Sequence, residues 1–163
     1  MRIISGEFRG RNIVAPQSFD LRPTTDMAKE GLFNILNNEF DFSEINVLDL
    51  FSGIGSISLE CISRGCSDVV AVEKNPRHAA FIKQTAQQLK VSGLKVLNLE
   101  VRSFLKLANR EFSLVFADPP YDLPWLADIP NLIFESKAVN ENSLVVVEHP
   151  GTYDFSKHTN FVR

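Results

Sequence analysis

Asp118, Pro119, Pro120 and Tyr121 follow directly on an apolar run over residues 113–117. Proline fixes φ and lacks an N–H, so a Pro-Pro step ends a strand and leaves carbonyls able to accept hydrogen bonds from a ligand. Asp118 adds a charged acceptor, and Tyr121 offers a flat face on which a planar ring can stack. Acceptors beside a stacking surface suit the amino group of a nucleobase.

A second constellation lies about 65 residues upstream. Residues 46–51 read as a buried strand, followed at once by Ser52, Gly53, Ile54, Gly55 and Ser56, and then by Ile57, Cys61 and Ile62 at helical spacing. Strand, glycine-rich turn and helix form the first unit of a nucleotide-binding α/β sheet, with glycines that permit a tight turn and close approach of a ligand. The next strand ends in Glu73, about 20 residues after the glycines, where a carboxylate can hold both hydroxyls of a ribose. A nicotinamide cofactor is disfavoured, because Ser58 occupies the place of the third glycine and the acidic shelf has no part in hydride transfer.

The elements that must position these residues follow from periodicity. Ile3, Phe8, Ile13 and Val14, with Gly6 and Gly10 between, predict a small β-hairpin. Thr24 or Thr25 is placed to cap a helix whose apolar stripe is Ala28, Leu32, Ile35 and Leu36. Strands are expected over 46–51, 68–73, 95–100, 113–118 and 143–149, alternating with helices over 56–64, 76–90, 102–109 and about 125–136. This βα alternation implies an α/β fold with a mostly parallel sheet and helices on both faces. In such a sheet, ligands collect outside the carboxyl ends of the strands, so 49–55, 73–75, 100 and 118–121 should share one cleft.

At 163 residues the chain is expected to form one domain, with residues 1–23 as an N-terminal extension and 24–163 as the core. Cys61 and Cys66 are the two cysteines, without metal-ligand spacing, and reduced core thiols are their expected state. His78, His149 and His158 show no metal or triad spacing and are expected at surface or capping positions, and Trp125 packs the following helix. No metal is called for. With no apolar run of membrane-spanning length and no leader-like N-terminus, the cytoplasm is the expected compartment and a monomer the default state. The net charge of −3 argues against indiscriminate nucleic-acid binding, yet Arg2, Arg9, Arg11 and Arg22 face only Glu7 and Asp20 before Pro23. These four arginines are candidate phosphate contacts.

Residues 48–55, 72–75 and 118–121 resemble the signature motifs of S-adenosylmethionine-dependent amino methyltransferases. Residues 2–11 and 22–26, with Phe33, Asn34 and residues 103–105, resemble more narrowly the bacterial 16S ribosomal RNA guanine-N2 methyltransferases. The resemblance implies a Rossmann-like class I methyltransferase sheet and S-adenosylmethionine as cofactor. It further implies 16S rRNA, within the small ribosomal subunit or an assembly intermediate, as partner. Phe51, Gly53 and Gly55 would cradle the methionine part of the cofactor with Asp49 just behind. Glu73 would hold the ribose, and Glu100, where the family more often has Asp or Asn, would lie beside adenine. Thr24 would sit near the cofactor's amino-acid end, and Asp118, the Pro119 carbonyl and Tyr121 would hold the target base. Such enzymes usually close the sheet with an antiparallel hairpin, of which residues 152–163 supply little more than the beginning. The C-terminal hairpin is therefore expected to be incomplete.

Two other readings fit parts of the chain. An adenine-N6 methyltransferase shares the Asp-Pro-Pro-Tyr motif but usually adds a target-recognition segment. An inactive ribosome-assembly binder would keep the fold without needing Asp118 and both glycines.

Overall fold

The computed structural model describes residues 1–19 and 25–163. Helix α1 (Asp26–Glu39) starts at Thr25, whose side chain accepts from the Ala28 N–H, and Asp26 places negative charge at the positive end of the helix dipole. The βα units follow as β1 (Val47–Leu50), α2 (Ser56–Ser63), β2 (Val69–Val72), α3 (Pro76–Gln88), β3 (Leu94–Leu97), α4 (Val101–Leu107), β4 (Leu114–Ala117), α5 (Ile129–Phe134) and β5 (Leu144–Val147). Pro76 sits in the first turn of α3, where its missing N–H costs no hydrogen bond, and Asn75 caps that helix by accepting from the Arg77 N–H.

All strand pairs are parallel, in the order β3-β2-β1-β4-β5. The chain winds outward from β1 to β3 and then crosses back to place β4 on the other side of β1, so a topological switch point lies between β1 and β4. Successive strand residues face opposite sides of the sheet. Leu48, Leu50, Val70, Val72, Val115 and Ala117 accordingly pack with Val101 and Leu105 of α4 and with Ile129 and Ile133 of α5. Val47, Val69, Leu114 and Phe116 pack with Phe33 and Leu36 of α1 and with Ile57 and Cys61 of α2. Both cysteines are buried and unbridged. Burial of these apolar side chains is the main term stabilising the sheet, at about 25 cal/mol per Å² removed from water.

The buried face of α1 differs from the expected stripe. Leu36 of that stripe is buried and Leu32 packs against the core, but Ala28 is exposed and Ile35 is 52% exposed, and Lys29 and Phe33 are buried in their place. Lys29 Nζ donates to the Arg2 carbonyl at 2.5 Å and to Ser56 Oγ at 3.3 Å, and lies 3.5 Å from the buried Glu60 carboxylate. A charged residue in the core-facing position rotates the true stripe out of the apolar period.

The N-terminal segment is a hairpin in outline only. Arg2 and Asn12 form an isolated antiparallel bridge rather than paired strands, flanked by bonds from Ile3 N–H to the Arg11 carbonyl and from Ile13 N–H to the Met1 carbonyl. Its stability comes from docking on α2. Glu60 accepts from the Ile4 and Ser5 N–H groups at 2.8 and 3.0 Å, and the Ser63 carbonyl accepts from the Glu7 N–H at 2.8 Å. Gly6 has φ of 82°, and a Cβ there would stand 1.7 Å from the Ser63 carbonyl oxygen, so the close approach admits only glycine. Beyond β5 the described residues form turns and no further strand. Among the described residues no helix is long and apolar enough to cross a membrane.

Candidate active site

The register of the sheet brings the sequence motifs together. Leu50 of β1 pairs with Val72 of β2 and with Ala117 of β4, and Ala117 pairs with Val147 of β5. Phe51, Glu73, Asp118 and Glu148 therefore each stand one residue beyond a shared row, on four adjacent strands at the carboxyl edge. Phe51 belongs to the glycine turn, Glu73 is the acid at the end of the next strand, and Asp118 opens the Pro-Pro shelf.

The turn itself bends through three residues with positive φ: Phe51 at 61°, Gly53 at 56° and Gly55 at 81°. Phenylalanine is strained there, and such strain persists only where the surroundings fix it. Ser52 does so, donating its N–H to the Val72 carbonyl at 3.0 Å and its hydroxyl to the Asp49 carbonyl at 2.7 Å, while its own carbonyl accepts from Gly55 N–H at 2.7 Å. A Cβ at Gly55 would stand 3.0 Å from Ile82 of α3.

Asp49 points away from the cleft into the α1 and α2 layer. Its carboxylate accepts from the Ser58 hydroxyl at 2.5 Å and the Ser58 N–H at 3.2 Å, tying β1 to the first turn of α2. Burial pushes the Asp49 carboxyl up to about 7; the Ser58 hydrogen bonds oppose this, and the charges of Asp118 and Glu73 add to it. The residue in the third-glycine position of the dinucleotide pattern thus serves as the donor that satisfies Asp49.

Glu73 clamps the turn from the neighbouring strand. One carboxylate oxygen accepts from Gly53 N–H at 2.8 Å and the other from Asn75 N–H at 2.7 Å. Each oxygen keeps a second lone pair, so the group fits a pair of hydroxyl donors such as a ribose diol. His78 is not at the surface or in a cap: it is buried, 3.8 Å from Glu73 by Nδ1, with its ring 4.6 Å from that of Phe19. Nothing in the spacing of a lone histidine signalled this. A groove of about 400 Å³ separates the stretch from Ile13 to Phe19 from Ile54 of the glycine turn.

Glu100 has a local task as well. It caps α4 by accepting from the Ser103 N–H at 3.0 Å and lies 3.5 Å from Arg102 Nε. Burial alone would raise its carboxyl, but the Ser103 and Arg102 N–H groups and the Arg102 charge outweigh burial and lower it. The Arg102 guanidinium lies 4.7 Å over the Trp125 ring, and Trp125 in turn lies 5.9 Å from Phe51. Trp125 therefore closes one side of the glycine turn in addition to packing the helix that follows it.

On the shelf, Asp118 is half-buried, Pro119 buried and Pro120 exposed. The Pro120 carbonyl accepts from Leu123 N–H at 3.0 Å, whereas among the described residues the Pro119 carbonyl accepts no hydrogen bond. Tyr121 is 44% exposed, and its hydroxyl donates to Glu148 at 3.0 Å. Glu148 was missed in the sequence, since only strand pairing reveals that it sits beside Asp118.

The four arginines divide. Arg2 is exposed and lies 3.6 Å from Asp26, and its backbone is bridged to Asn12 in the hairpin. Arg9 and Arg11 are exposed and form no ion pair among the described residues. Arg22 and Thr24 lie outside the described residues. Among the described residues, no group of three or more His, Cys, Asp or Glu side chains is arranged to hold a metal ion.

The model of the family described as conserved hypothetical protein 95 matches residues 1–162. The chain is 36% identical to the Ribosomal RNA small subunit methyltransferase D of Haemophilus influenzae, over 91% of this chain and 78% of that protein. To the protein of the same name in Escherichia coli K12 it is 32% identical, over 91% of this chain and 74% of the other. A solved structure of a hypothetical protein from Thermus thermophilus matches with a TM-score of 0.83 at 30% identity, covering 94% of this chain and 88% of that one. Glycine turn, strand-end acid and Asp-Pro-Pro-Tyr shelf are gathered at the switch point of a Rossmann-like sheet, and the chain belongs to the conserved hypothetical protein 95 family of class I methyltransferases.

Proposed function

We propose that this methyltransferase transfers a methyl group from S-adenosylmethionine to the exocyclic N2 amine of a guanine in 16S ribosomal RNA. The observation that carries the reading is the shared row of the sheet, which sets Glu73 and the glycine turn beside Asp118. The relatives named as small-subunit ribosomal RNA methyltransferases supply the RNA class. S-adenosylmethionine brings a methyl group on an already activated sulfonium, so no strong acid is required of the protein.

The demanding partner is the acceptor, because a guanine N2 amine is conjugated with its ring and weakly nucleophilic. Asp118 and the Pro119 carbonyl are suited to accept from its two N–H groups and draw the nitrogen toward tetrahedral geometry, which aims its lone pair and stabilises the developing positive charge. Asp118 then accepts the released proton, directly or through water. The base must leave its stack to reach the shelf, and the Tyr121 ring replaces part of the lost stacking. Glu73 binds the ribose hydroxyls, Phe51, Gly53 and Gly55 bound the methionine end, and Glu100 with Arg102 borders the adenine end. Arg9 and Arg11 contact RNA phosphates. The working protein is a cytoplasmic monomer acting on the small subunit or an assembly intermediate, without a metal.

Labelled cofactor incubated with small subunits, naked rRNA or DNA tests this directly. The expected product is N2-methylguanosine in 16S RNA; label in DNA or in N6-methyladenine would overturn the proposal. Asp118→Asn should lower methyl transfer by about 100-fold or more while leaving cofactor affinity nearly intact. Near-normal turnover would reduce Asp118 to a strand-end cap.

A further inference from the structure

Glu148 lies one residue past β5, on the strand beside the one that carries Asp118, and its N–H donates to the Ala117 carbonyl at 2.8 Å. Parallel pairing of Ala117 with Val147 sets Asp118 and Glu148 at one level of adjacent strands. Glu148 is half-buried, and the Tyr121 hydroxyl holds one of its oxygens at 3.0 Å. The same carboxylate is thus fixed to the ring on which the base would stack and stands next to the acid that would take its amine.

We propose that Glu148 is the specificity residue of this site, accepting the N1–H of the target guanine beside the N2 amine held by Asp118 and the Pro119 carbonyl. The proposal rests on the guanine-N2 reading above. Guanine presents three adjacent N–H donors on that edge, one from N1 and two from N2, and the site supplies three acceptors. An adenine turned to place its amine on Asp118 would instead aim the N1 lone pair at a carboxylate, and an unpaired acceptor facing an acceptor is strongly rejected. The Tyr121 hydroxyl donates to one oxygen of Glu148, and that bond fixes the pitch of the Tyr121 ring, while the charge that selects N1–H belongs to Glu148 itself. A carboxylate that merely anchored the ring would not distinguish the protonation state of N1.

The test uses an analogue that separates N1 from N2. Small subunits are assembled with 2,6-diaminopurine in place of the guanine that the wild-type protein labels. This base keeps the N2 amine but has an unprotonated N1. The wild-type protein should prefer guanine over diaminopurine by about 1,000-fold or more in kcat/KM. Glu148→Gln can turn its amide to donate to N1, and should narrow that ratio to within about tenfold, at unchanged affinity for S-adenosylhomocysteine. Tyr121→Phe, which keeps both ring and carboxylate, should retain the wild-type ratio. An unchanged ratio in Glu148→Gln, or an equal collapse of the ratio in Tyr121→Phe, overturns the assignment of Glu148 alone. Wild-type protein that makes no N2-methylguanosine overturns the functional reading, and this one with it.

Discussion

Asp49 shows how a single side chain at this site trades stability for position. The resemblance puts it just behind the glycine turn, and the structure turns it inward, where among the described residues Ser58 hydrogen-bonds to it. Its carboxyl rises from the ordinary aspartate range to about 7, with burial as the main cause. The folded protein therefore keeps a proton that the unfolded chain releases between about pH 4 and 7. The stabilisation is complete below the unfolded value and is lost as pH rises through the folded one. The upper bound is about 4 kcal/mol, from about 1.4 kcal/mol per pH unit across that window. Asp49→Asn keeps an acceptor for Ser58 but cannot titrate. Denaturant unfolding of both proteins at about pH 5 and pH 8 should show the advantage of the wild type shrinking by a few kcal/mol. Parallel pH profiles would mean that Asp49 is ionised in the fold throughout.

At the scale of elements, the hairpin and α2 act as one docking unit. Glu60 is wholly buried, yet it is surrounded by Lys29, Arg64 and two hairpin N–H groups, so its charge is compensated at every side. Burial lowers the Lys29 amine and the Glu60 charge opposes that fall. The hairpin's own hydrogen bonds could not hold it, and Gly6 is the point of closest contact. Gly6→Ala meets both an unfavourable positive φ and the Ser63 backbone. In hydrogen exchange, the Ile4, Ser5 and Glu7 amides should lose protection in this variant while the amides of β1 and β4 keep theirs. Unchanged protection of the hairpin amides would show that the segment docks by other contacts. This unit also marks where sequence reading stops. The βα alternation, the glycine turn, Glu73 and the Asp-Pro-Pro-Tyr shelf were legible because each is a local pattern of residue types at fixed spacing. Lys29, His78 and Glu148 were not, because their partners lie 31, 5 and 27 residues away, at Glu60, Glu73 and Tyr121, and only the fold or the local helix turn brings them together. Half of the α1 stripe, Ala28 and Ile35, was misplaced for the same cause: a lysine can face the core only if an unseen carboxylate receives it.

Across the whole molecule the charge balance opposes the proposed substrate. A net charge of −3 repels a polyanion, so affinity for RNA must come from where the cations stand. Glu60 pairs with Arg64 and Lys29 inside the fold, Asp26 lies 3.6 Å from Arg2, and Asp68 engages Arg110 at 2.8 Å. Arg9 and Arg11 are left on the exposed hairpin, without an ion pair among the described residues. Docking on α2 fixes this hairpin relative to the strand-end cleft, so phosphate contacts there would set the register of the RNA while the shelf reads the base. Each phosphate contact releases counterions and contributes about 0.7–0.9 to the slope of log affinity against log salt. Arg9→Ala with Arg11→Ala should therefore flatten that slope by roughly 1.5 and weaken binding most at low salt. Cofactor affinity should not change, because neither arginine approaches the glycine turn through any described contact. A double variant with the wild-type slope would move the RNA surface elsewhere, whereas a flattened slope with intact N2-methylguanosine formation at low salt would separate RNA positioning from the chemistry of the shelf.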